Sequence, residues 1–322
     1  MKQSPIFFIH IPKTAGTSLR ISAEALFGAG GVEKNYGAES EETTPMVREW
    51  ILEKRDFAGF YQQMRASGAR LYTGHVKALP EVTVFPLLCT ATFVRDPYEQ
   101  AVSHYNHCVR WHGYGEPFDV FVQTRGNQHV YPLKGVPIHL LGFVGITEKY
   151  DASLGLFNHI FNTELTPLTA NANTQKKIQT IDTATRKLIA QYYPLDIQLY
   201  NRMSQVLQQR IAATEADLPW CHGAILKKDP QTLTGYACWS GSSESGSSES
   251  RSNAPVSLVL LKDNNAVAET DATMHVSQFA RFVVPREGHI GFQFDASKFE
   301  DPSVLKVIVK TTGQELGDEL IF

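Results

Sequence analysis

The sequence has little cysteine and no long hydrophobic run. Its 322 residues include four cysteines, Cys89, Cys108, Cys221 and Cys238, and none of them shows the close spacing of a metal site or a redox pair. A disulfide framework is therefore not expected, and reduced thiols are typical of an intracellular protein. The apolar run nearest the amino terminus, Ile6–Ile9, is far shorter than the roughly 20 residues that cross a bilayer. We therefore expect no integral membrane segment, no signal peptide and a cytoplasmic location.

Positive charge is not in excess either. The chain has 30 lysines and arginines against 33 aspartates and glutamates, for a net charge of −3. Because a general nucleic-acid-binding protein carries a basic excess, we expect no nucleic-acid partner, although a local basic cleft is compatible with this balance. Hydrophobic residues make up 43% of the chain, so it can build a sizeable core, and its length is typical of about two domains.

Strand-like and helix-like segments alternate over the first two thirds of the chain. Segments rich in Ile, Val, Phe, Leu and Thr predict buried strands at 5–11, 70–76, 85–94 and 142–147. Helices are predicted between them at 18–27, 45–66 and 98–111, and two more are predicted between residues 182 and 213. This alternation predicts an α/β fold of three layers, in which helices cover both faces of a mostly parallel central sheet.

The composition changes near residue 220. Short strands are predicted after it, at 236–239, 256–261, 280–285, 289–294 and 304–310, with polar turns at 263–265 and 286–288. This pattern predicts a small all-β sandwich. A repeated Gly-Ser-Ser-Glu-Ser motif within 240–253 predicts a flexible loop inside the sandwich, and an interdomain linker is the alternative. We expect two domains, 1–218 and 219–322.

A strand, a tight loop and a helix follow one another at the start of the chain. The residues from the loop into the helix are Lys13, Thr14, Ala15, Gly16, Thr17 and Ser18. Backbone N–H groups at a helix start favour an anion, Lys13 adds a positive charge, and the hydroxyls are further donors. Gly16 permits close backbone approach. The loop is not a Walker A motif, because Lys13 precedes the last glycine, and we see no suitable Walker B aspartate. We therefore expect an anion site that requires no metal.

A second anion-binding signal follows the predicted strand at 85–94. Beyond that strand comes Arg95, followed by Asp96 as a helix N-cap and Pro97 at the first helical position. Ser103 lies about two helical turns after Arg95, where its hydroxyl can reach the same phosphate as the guanidinium. Arg-Asp-Pro alone is common at helix starts, but together with the Lys13 loop it is a much more specific signal.

The two segments resemble the carbohydrate sulfotransferases that use PAPS (3′-phosphoadenosine 5′-phosphosulfate), in the branch of the heparan sulfate 2-O-sulfotransferases and chondroitin sulfotransferases. Residues 11–18 are similar to the family's 5′-phosphosulfate loop, 93–97 with Ser103 are similar to its 3′-phosphate motif, and 144–154 are similar to a later family segment. The resemblance covers about residues 5–215. It implies a P-loop-like fold, PAPS as the co-substrate and PAP as the nucleotide product.

The resemblance also implies roles for individual residues. Lys13 would contact the phosphosulfate and offset the charge on the departing oxygen, while Arg95 and Ser103 would hold the 3′-phosphate. Thr174 and Lys177, in a polar loop, would be further nucleotide contacts, and a solvated turn is the alternative there. Animal relatives are membrane-anchored, whereas this chain starts almost at its first strand, so we expect a cytoplasmic enzyme of bacterial type.

A sulfotransferase needs a base for the acceptor hydroxyl, and His75 is the leading candidate. It lies at the carboxyl end of the predicted strand 70–76, the edge at which open α/β sheets bind ligands. It also resembles the histidine of a Gly-His-Val motif that is the catalytic base in the 2-O-sulfotransferase branch. That branch often has a second histidine where this chain has Thr73. The other candidates for the base are His10, His104, His107 and Glu24.

An aromatic and basic set of residues is predicted on the acceptor side. Its members are Arg110, Trp111, His112, Arg125, His129 and Lys134. Such residues stack on sugars and pair with carboxylates, so we expect a carbohydrate or glycolipid acceptor. Two other functions remain as alternatives: a P-loop nucleotide kinase or NTPase that binds ATP with magnesium, and a non-catalytic glycan-binding protein.

Overall fold

Five parallel strands form the central sheet of this computed structural model, which describes residues 4–167, 178–240, 253–299, 301, 304–320 and 322. The strands are β1 (Ile6–Ile9), β2 (Val32–Asn35), β3 (Leu71–Gly74), β4 (Thr90–Val94) and β5 (Phe143–Ile146). They lie in the order β2–β3–β1–β4–β5. The predicted α/β fold with a parallel central sheet is confirmed, and each of the four predicted strands is present.

Burial explains why four of these strands are visible in the sequence and β2 is not. Every residue of β1 and β4 is buried, because these inner strands are covered on both faces, and such strands are continuous apolar runs. The edge strand β2 has the sequence Val-Glu-Lys-Asn and is held by its parallel pairing with β3. A polar strand of this kind has no hydrophobic pattern from which it could be predicted.

Helices connect successive strands of the sheet, and further helices come after its last strand in the chain. They are α1 (Gly16–Phe27), α2 (Pro45–Val47), α3 (Phe57–Ser67), α4 (Pro97–Trp111), α5 (Phe118–Thr124), α6 (Val130–Leu133), α7 (Tyr150–Phe161), α8 (Thr183–Tyr192) and α9 (Pro194–Glu215). The single helix predicted over 45–66 is wrong. It is interrupted after a π-helical stretch, Arg48–Glu53, because Arg55 is left-handed and Asp56 caps α3 by accepting from the Gly59 N–H at 2.8 Å. Of the helices in the described part of the chain, none has the length and hydrophobicity needed to cross a lipid bilayer.

The predicted β-rich carboxyl-terminal part is confirmed as two antiparallel sheets. The first contains β6 (Cys221–Lys228), β7 (Thr232–Trp239), β10 (Met274–His275) and β11 (His289–Asp295). The second contains β8 (Ser257–Lys262), β9 (Asn265–Asp271), β12 (Lys306–Val309) and β13 (Glu315–Leu316). Both predicted turns are present, with left-handed residues at 263–264 and 286–288. The strand predicted at 280–285 is wrong, because only Val283 bridges to another segment, at Pro86. Most of the loop predicted at 240–253 lies outside the described residues.

The first antiparallel sheet is a middle layer between two cores. Tyr236 and Cys238 belong to the core built on the central sheet, whereas Ala237 and Trp239 belong to the core shared with the second antiparallel sheet. This alternation follows the period of two residues along a strand, so β7 buries both of its faces. The carboxyl-terminal part therefore shares one hydrophobic core with the parallel sheet and its helices. The domain division at residue 218 stays a prediction.

Candidate functional site

The candidate site lies at the carboxyl ends of three neighbouring strands. β1 pairs with β3 through Ile9 and Gly74, and with β4 through Ile9 and Thr92. The residues that leave these strands are the loop of Lys13, the predicted base His75 and the predicted phosphate ligand Arg95. Since ligands bind outside the carboxyl ends of strands in open α/β sheets, the fold brings the three sequence signals to the edge where binding is expected.

The loop between β1 and α1 has an unusual backbone. Lys13 and Ala15 are left-handed, with φ of 67° and 68°, although neither is glycine. Such conformations are sterically costly and cluster at ligand sites. A backbone that alternates in this way can turn successive N–H groups to one side, which is the geometry of known anion-binding concavities. Ala15 is also the N-cap of α1 and provides no side-chain cap, which leaves the helix start open to an anion.

Three side chains hold this loop through its carbonyl oxygens. The Thr14 hydroxyl donates to Ile11 O at 2.8 Å, Gln100 Nε2 donates to Pro12 O at 3.1 Å, and Arg95 Nη1 donates to Lys13 O at 3.3 Å. Thr14 is fully buried, so its hydroxyl proton serves the loop rather than a ligand. Gln100 is a residue that the sequence did not indicate. It lies on α4 between Arg95 and Ser103, and its contact with Pro12 O forms only in the folded chain.

Arg95 lies beside the Lys13 loop, as the hypothesis that both segments bind one nucleotide requires. Its guanidinium is 3.7 Å from both Glu99 and Glu148, and its side chain is 25% exposed. Its Nε makes no hydrogen bond in the described part of the chain, but it lies 3.7 Å from Glu148 Oε1, within ion-pair distance. A guanidinium next to an open helix start fits an anionic group. Glu148 also accepts from the Asp96 N–H at 3.1 Å, so the predicted segment 144–154 contributes to the same edge.

The electrostatics connect Lys13 to one face of α4. Burial, followed by the nearby Arg95 charge, lowers the pKa of Lys13. Burial is the main cause of the lowered pKa values of His104 and His107, which lie on α4, and the Lys13 charge adds to it. Ser103 is half-buried on α4, one helical turn before His107.

The other predicted nucleotide ligands differ in accessibility. Thr17 is exposed and Ser18 is half-buried in the first turn of α1, where their N–H groups lie near the helix start. Gly16 is buried against the ring of His10, so its lack of a side chain has a packing reason as well as a possible ligand-binding one. Thr174 and Lys177 lie outside the described residues.

The predicted base His75 follows β3 and keeps one side exposed. Its ring packs edge-on against His10, with the centroids 4.4 Å apart, and against Tyr36, at 5.0 Å. Burial of this inner side is the main cause that lowers the pKa of His75. Arg20 and His107 lower it further, and the carboxylate of Glu42 opposes them. A neutral imidazole at neutral pH is able to accept a proton.

Three of the other four candidate bases, His10, His104 and Glu24, are engaged elsewhere. Burial lowers the pKa of His10 to about 3, and its Nδ1 lies 3.1 Å from the Tyr36 hydroxyl. Burial lowers the pKa of His104 to about 4, and its Nδ1 contacts the Gln128 amide oxygen. Glu24 is ion-paired with Lys34 at 2.8 Å and Arg20 at 3.1 Å, and these partners hold its pKa below the ordinary value despite its partial burial. A carboxylate held in this way is a weak base.

The fold leaves some residues of the predicted acceptor set exposed and buries another. Trp111 is 66% exposed at the end of α4, as an acceptor contact requires. His129 is fully buried against Asp196, at 3.2 Å, so its assignment to the acceptor surface is wrong. A cavity between α9 and the middle sheet, lined in part by Arg210 and Trp220, lies away from the three strand ends. We favour the strand ends as the site, because they collect the loop, the guanidinium and the imidazole.

Among the residues described, no group of three or more His, Cys, Asp or Glu side chains is arranged to hold a metal ion. No protein-family model matches the chain, and a search of curated proteins found no relative. The residues of the site bring together, at one sheet edge, a loop with a left-handed backbone at Lys13 and Ala15, the guanidinium of Arg95 and the imidazole of His75.

Proposed function

We propose that this protein is a PAPS-dependent sulfotransferase that transfers a sulfuryl group to a hydroxyl of a carbohydrate or glycolipid, on a P-loop-like donor domain. The observation that carries the proposal is the hydrogen bond between Arg95 Nη1 and Lys13 O, at 3.3 Å. It joins two anion-binding segments that are 82 residues apart in sequence, and His75 follows the neighbouring strand. PAPS is anionic at both ends, which matches two adjoining cationic segments.

The residues of the site have separate tasks in the proposed donor binding. The backbone N–H groups at the start of α1 and the Lys13 ammonium would bind the phosphosulfate. The guanidinium of Arg95 and the hydroxyl of Ser103 would bind the 3′-phosphate. Burial and, after it, the Arg95 charge lower the pKa of Lys13, so an anion between the two side chains would relieve a repulsion of like charges. Thr174 and Lys177 remain proposed contacts.

The proposed reaction is a displacement at sulfur. A bond forms between the acceptor oxygen and sulfur, and the bond between sulfur and the bridging oxygen of the 5′-phosphate breaks. His75 accepts the proton of the attacking hydroxyl, since its lowered pKa keeps it neutral near pH 7. Lys13 offsets the negative charge that develops on the departing oxygen. The exposed side of His75 then releases the proton to solvent.

Binding is tested first, by calorimetric titration of the wild-type protein with PAP and, separately, with ATP and magnesium. We expect PAP to bind and ATP with magnesium not to bind. Lys13→Ala and Arg95→Ala should each weaken PAP binding tenfold or more, because each removes a charge-assisted contact worth roughly 1.5–3 kcal/mol. Lys298→Ala, which removes an exposed lysine of the carboxyl-terminal part, is the matched control and should bind as the wild type does. Binding of ATP with magnesium but not of PAP would favour a kinase.

Activity is tested with radiolabelled PAPS and a panel of glycans and glycolipids. We expect His75→Ala to lower the transfer rate by about 10²–10⁴-fold, the usual contribution of a general base, while PAP binding is unchanged. The exposed His275 is the control, and His275→Ala should keep full activity. Unchanged turnover in His75→Ala would assign the base to another residue. Glycan binding without PAP binding or transfer would favour a glycan-binding protein.

A further inference from the structure

Three rings form a small cluster at the carboxyl edge of the sheet, from the ends of three different strands. His10 follows β1, Tyr36 follows β2 and His75 follows β3. All three pairs meet edge to face, with centroid distances of 4.4 Å for His10 and His75, 5.0 Å for Tyr36 and His75, and 6.0 Å for His10 and Tyr36. A hydrogen bond of 3.1 Å between His10 Nδ1 and the Tyr36 hydroxyl closes the cluster. His75 therefore has a ring on each of two sides.

His10 is itself held from the opposite direction. Its side chain is buried, with 5% of the residue exposed, and Gly16 lies so close that a Cβ there would be 2.1 Å from His10 Cδ2. Gly16 is the first residue of α1, the helix that begins at the anion-binding loop. The His10 ring thus fills the space between this helix start and His75, and packing leaves it no room to turn away.

We propose that His10 is a positioning residue, which together with Tyr36 fixes the imidazole of His75 and connects it mechanically to the start of the donor-loop helix. The role depends on the proposed function only in that His75 is the base there. A fixed imidazole loses less rotamer entropy on reaching the hydroxyl, and misplacement of such a group by 1 Å is costly in rate. His10 does not accept the proton, because burial keeps it neutral and its Nδ1 is bonded to Tyr36.

Tyr36→Phe tests the proposal, because it keeps the ring and removes the hydroxyl that bonds His10. Nitrogen-15 NMR of labelled histidines reports the His10 tautomer and the titration of His75 without any need for activity. We expect the His10 Nδ1 signal to lose its hydrogen-bond shift and the His75 ring signals to broaden. Glu42, Arg20 and His107 also act on the His75 titration, so its midpoint is compared only between proteins that keep all three.

Kinetics provide the second measurement. We expect Tyr36→Phe to lower kcat by about two- to tenfold, which is the usual effect of losing one hydrogen bond. The Kd for PAP should change less than twofold. His10→Phe, which also keeps a ring, should have the same effect. The double variant should be no worse than either single variant, because each of the three variants removes the same hydrogen bond between His10 and Tyr36. The control is Tyr150→Phe, which removes a buried hydroxyl that has no partner within the described chain.

Two outcomes would overturn the inference. Additive losses in the double variant would mean that the two residues act independently, and unchanged His75 signals in Tyr36→Phe would mean that the cluster does not hold the imidazole. Failure of the proposed function is a separate result. A protein that binds no PAP and transfers no sulfuryl group, but whose His75 signals broaden in Tyr36→Phe, retains the positioning cluster and loses only the assigned reaction.

Discussion

Replacing Gly16 with alanine should destabilise the protein, although glycine is normally a poor residue for a helix. The new Cβ would lie 2.1 Å from His10 Cδ2, 2.5 Å from Nε2 and 2.8 Å from Cγ. Carbon atoms in contact prefer about 3.5 Å, so the ring would have to move by about 1.4 Å, the difference between 3.5 and 2.1 Å. The rings of Tyr36 and His75 occupy the space beside it. The clash therefore cannot be relieved by rotation of His10 alone.

The size of the effect follows from two opposing contributions. Overpacking of a buried site costs typically about 1–3 kcal/mol. Alanine also restricts the unfolded chain, which stabilises the folded state by about 0.4–1 kcal/mol where the backbone permits it. The packing loss is larger, so we expect Gly16→Ala to lower the free energy of unfolding by about 0.5–2 kcal/mol. The same displacement should disturb His75 and slow transfer.

Urea unfolding of the variant and of a matched control measures this prediction. The control is Gly155→Ala, since Gly155 lies within α7 with ordinary φ and no neighbouring atom within 4 Å of a new Cβ. That substitution should raise the free energy of unfolding by about 0.5–1 kcal/mol, through helix propensity alone. The two substitutions are chemically identical and should act in opposite directions. The reasoning would be refuted if Gly16→Ala were as stabilising as Gly155→Ala.

Two further predictions concern strained or buried groups. Ala15→Gly should raise the free energy of unfolding, measured in urea, by about 0.5–1 kcal/mol. Glycine removes the steric cost of the left-handed backbone at this position, and its greater freedom in the unfolded chain offsets part of that gain. Glu81 is buried, and burial raises its pKa to about 7 from the ordinary value of 4.5. The folded state therefore binds the proton more tightly, so the wild type should lose up to about 3 kcal/mol of stability as pH rises from 4.5 to 7. Glu81→Gln should remove most of this slope in thermal unfolding, and an unchanged slope would assign it to other groups.

The inner part of the parallel sheet could be predicted because burial on both faces leaves no polar positions in the strands. β1 reads Ile-Phe-Phe-Ile, and all four residues are buried. The edge strand β2 could not be predicted, since its Glu33, Lys34 and Asn35 are polar and its stability comes from pairing with β3. Pairing is a property of the fold, and the hydrophobic pattern of a short segment does not contain it.

The difference between apolar inner strands and the polar edge strand also explains which residues of the site could be predicted from the sequence. Lys13, His75 and Arg95 each follow an apolar strand, so the parallel-sheet hypothesis was enough to predict a common edge. Tyr36 follows β2, and because that strand was not predicted, nothing in the sequence indicated that this tyrosine lies beside His75. Gln100 lies on α4 between Arg95 and Ser103, but its bond to a loop carbonyl depends on the tertiary fold.

The carboxyl-terminal part shows a different failure. The strand predicted at 280–285 has the right composition, but Leu87 donates its N–H to Val283 O at 3.0 Å and makes this segment part of the contact with the parallel sheet. Val283 pairs with the distant segment at Pro86 and Leu87, so residues 280–285 are held there without a neighbouring strand. Tertiary context therefore decides between strand and irregular structure for this short apolar run.

The order of the strands has a consequence for the proposed displacement. The base follows β3, the donor loop follows β1, and Arg95 follows β4, so the loop lies between the other two. Neighbouring strands are about 4.8 Å apart, which puts the base and the arginine on opposite sides of the loop and separates them by about 10 Å. An in-line displacement needs the attacking and departing oxygens on opposite sides of the sulfur. Attack from the β3 side, with the nucleotide held toward β4, is the direction that this strand order permits.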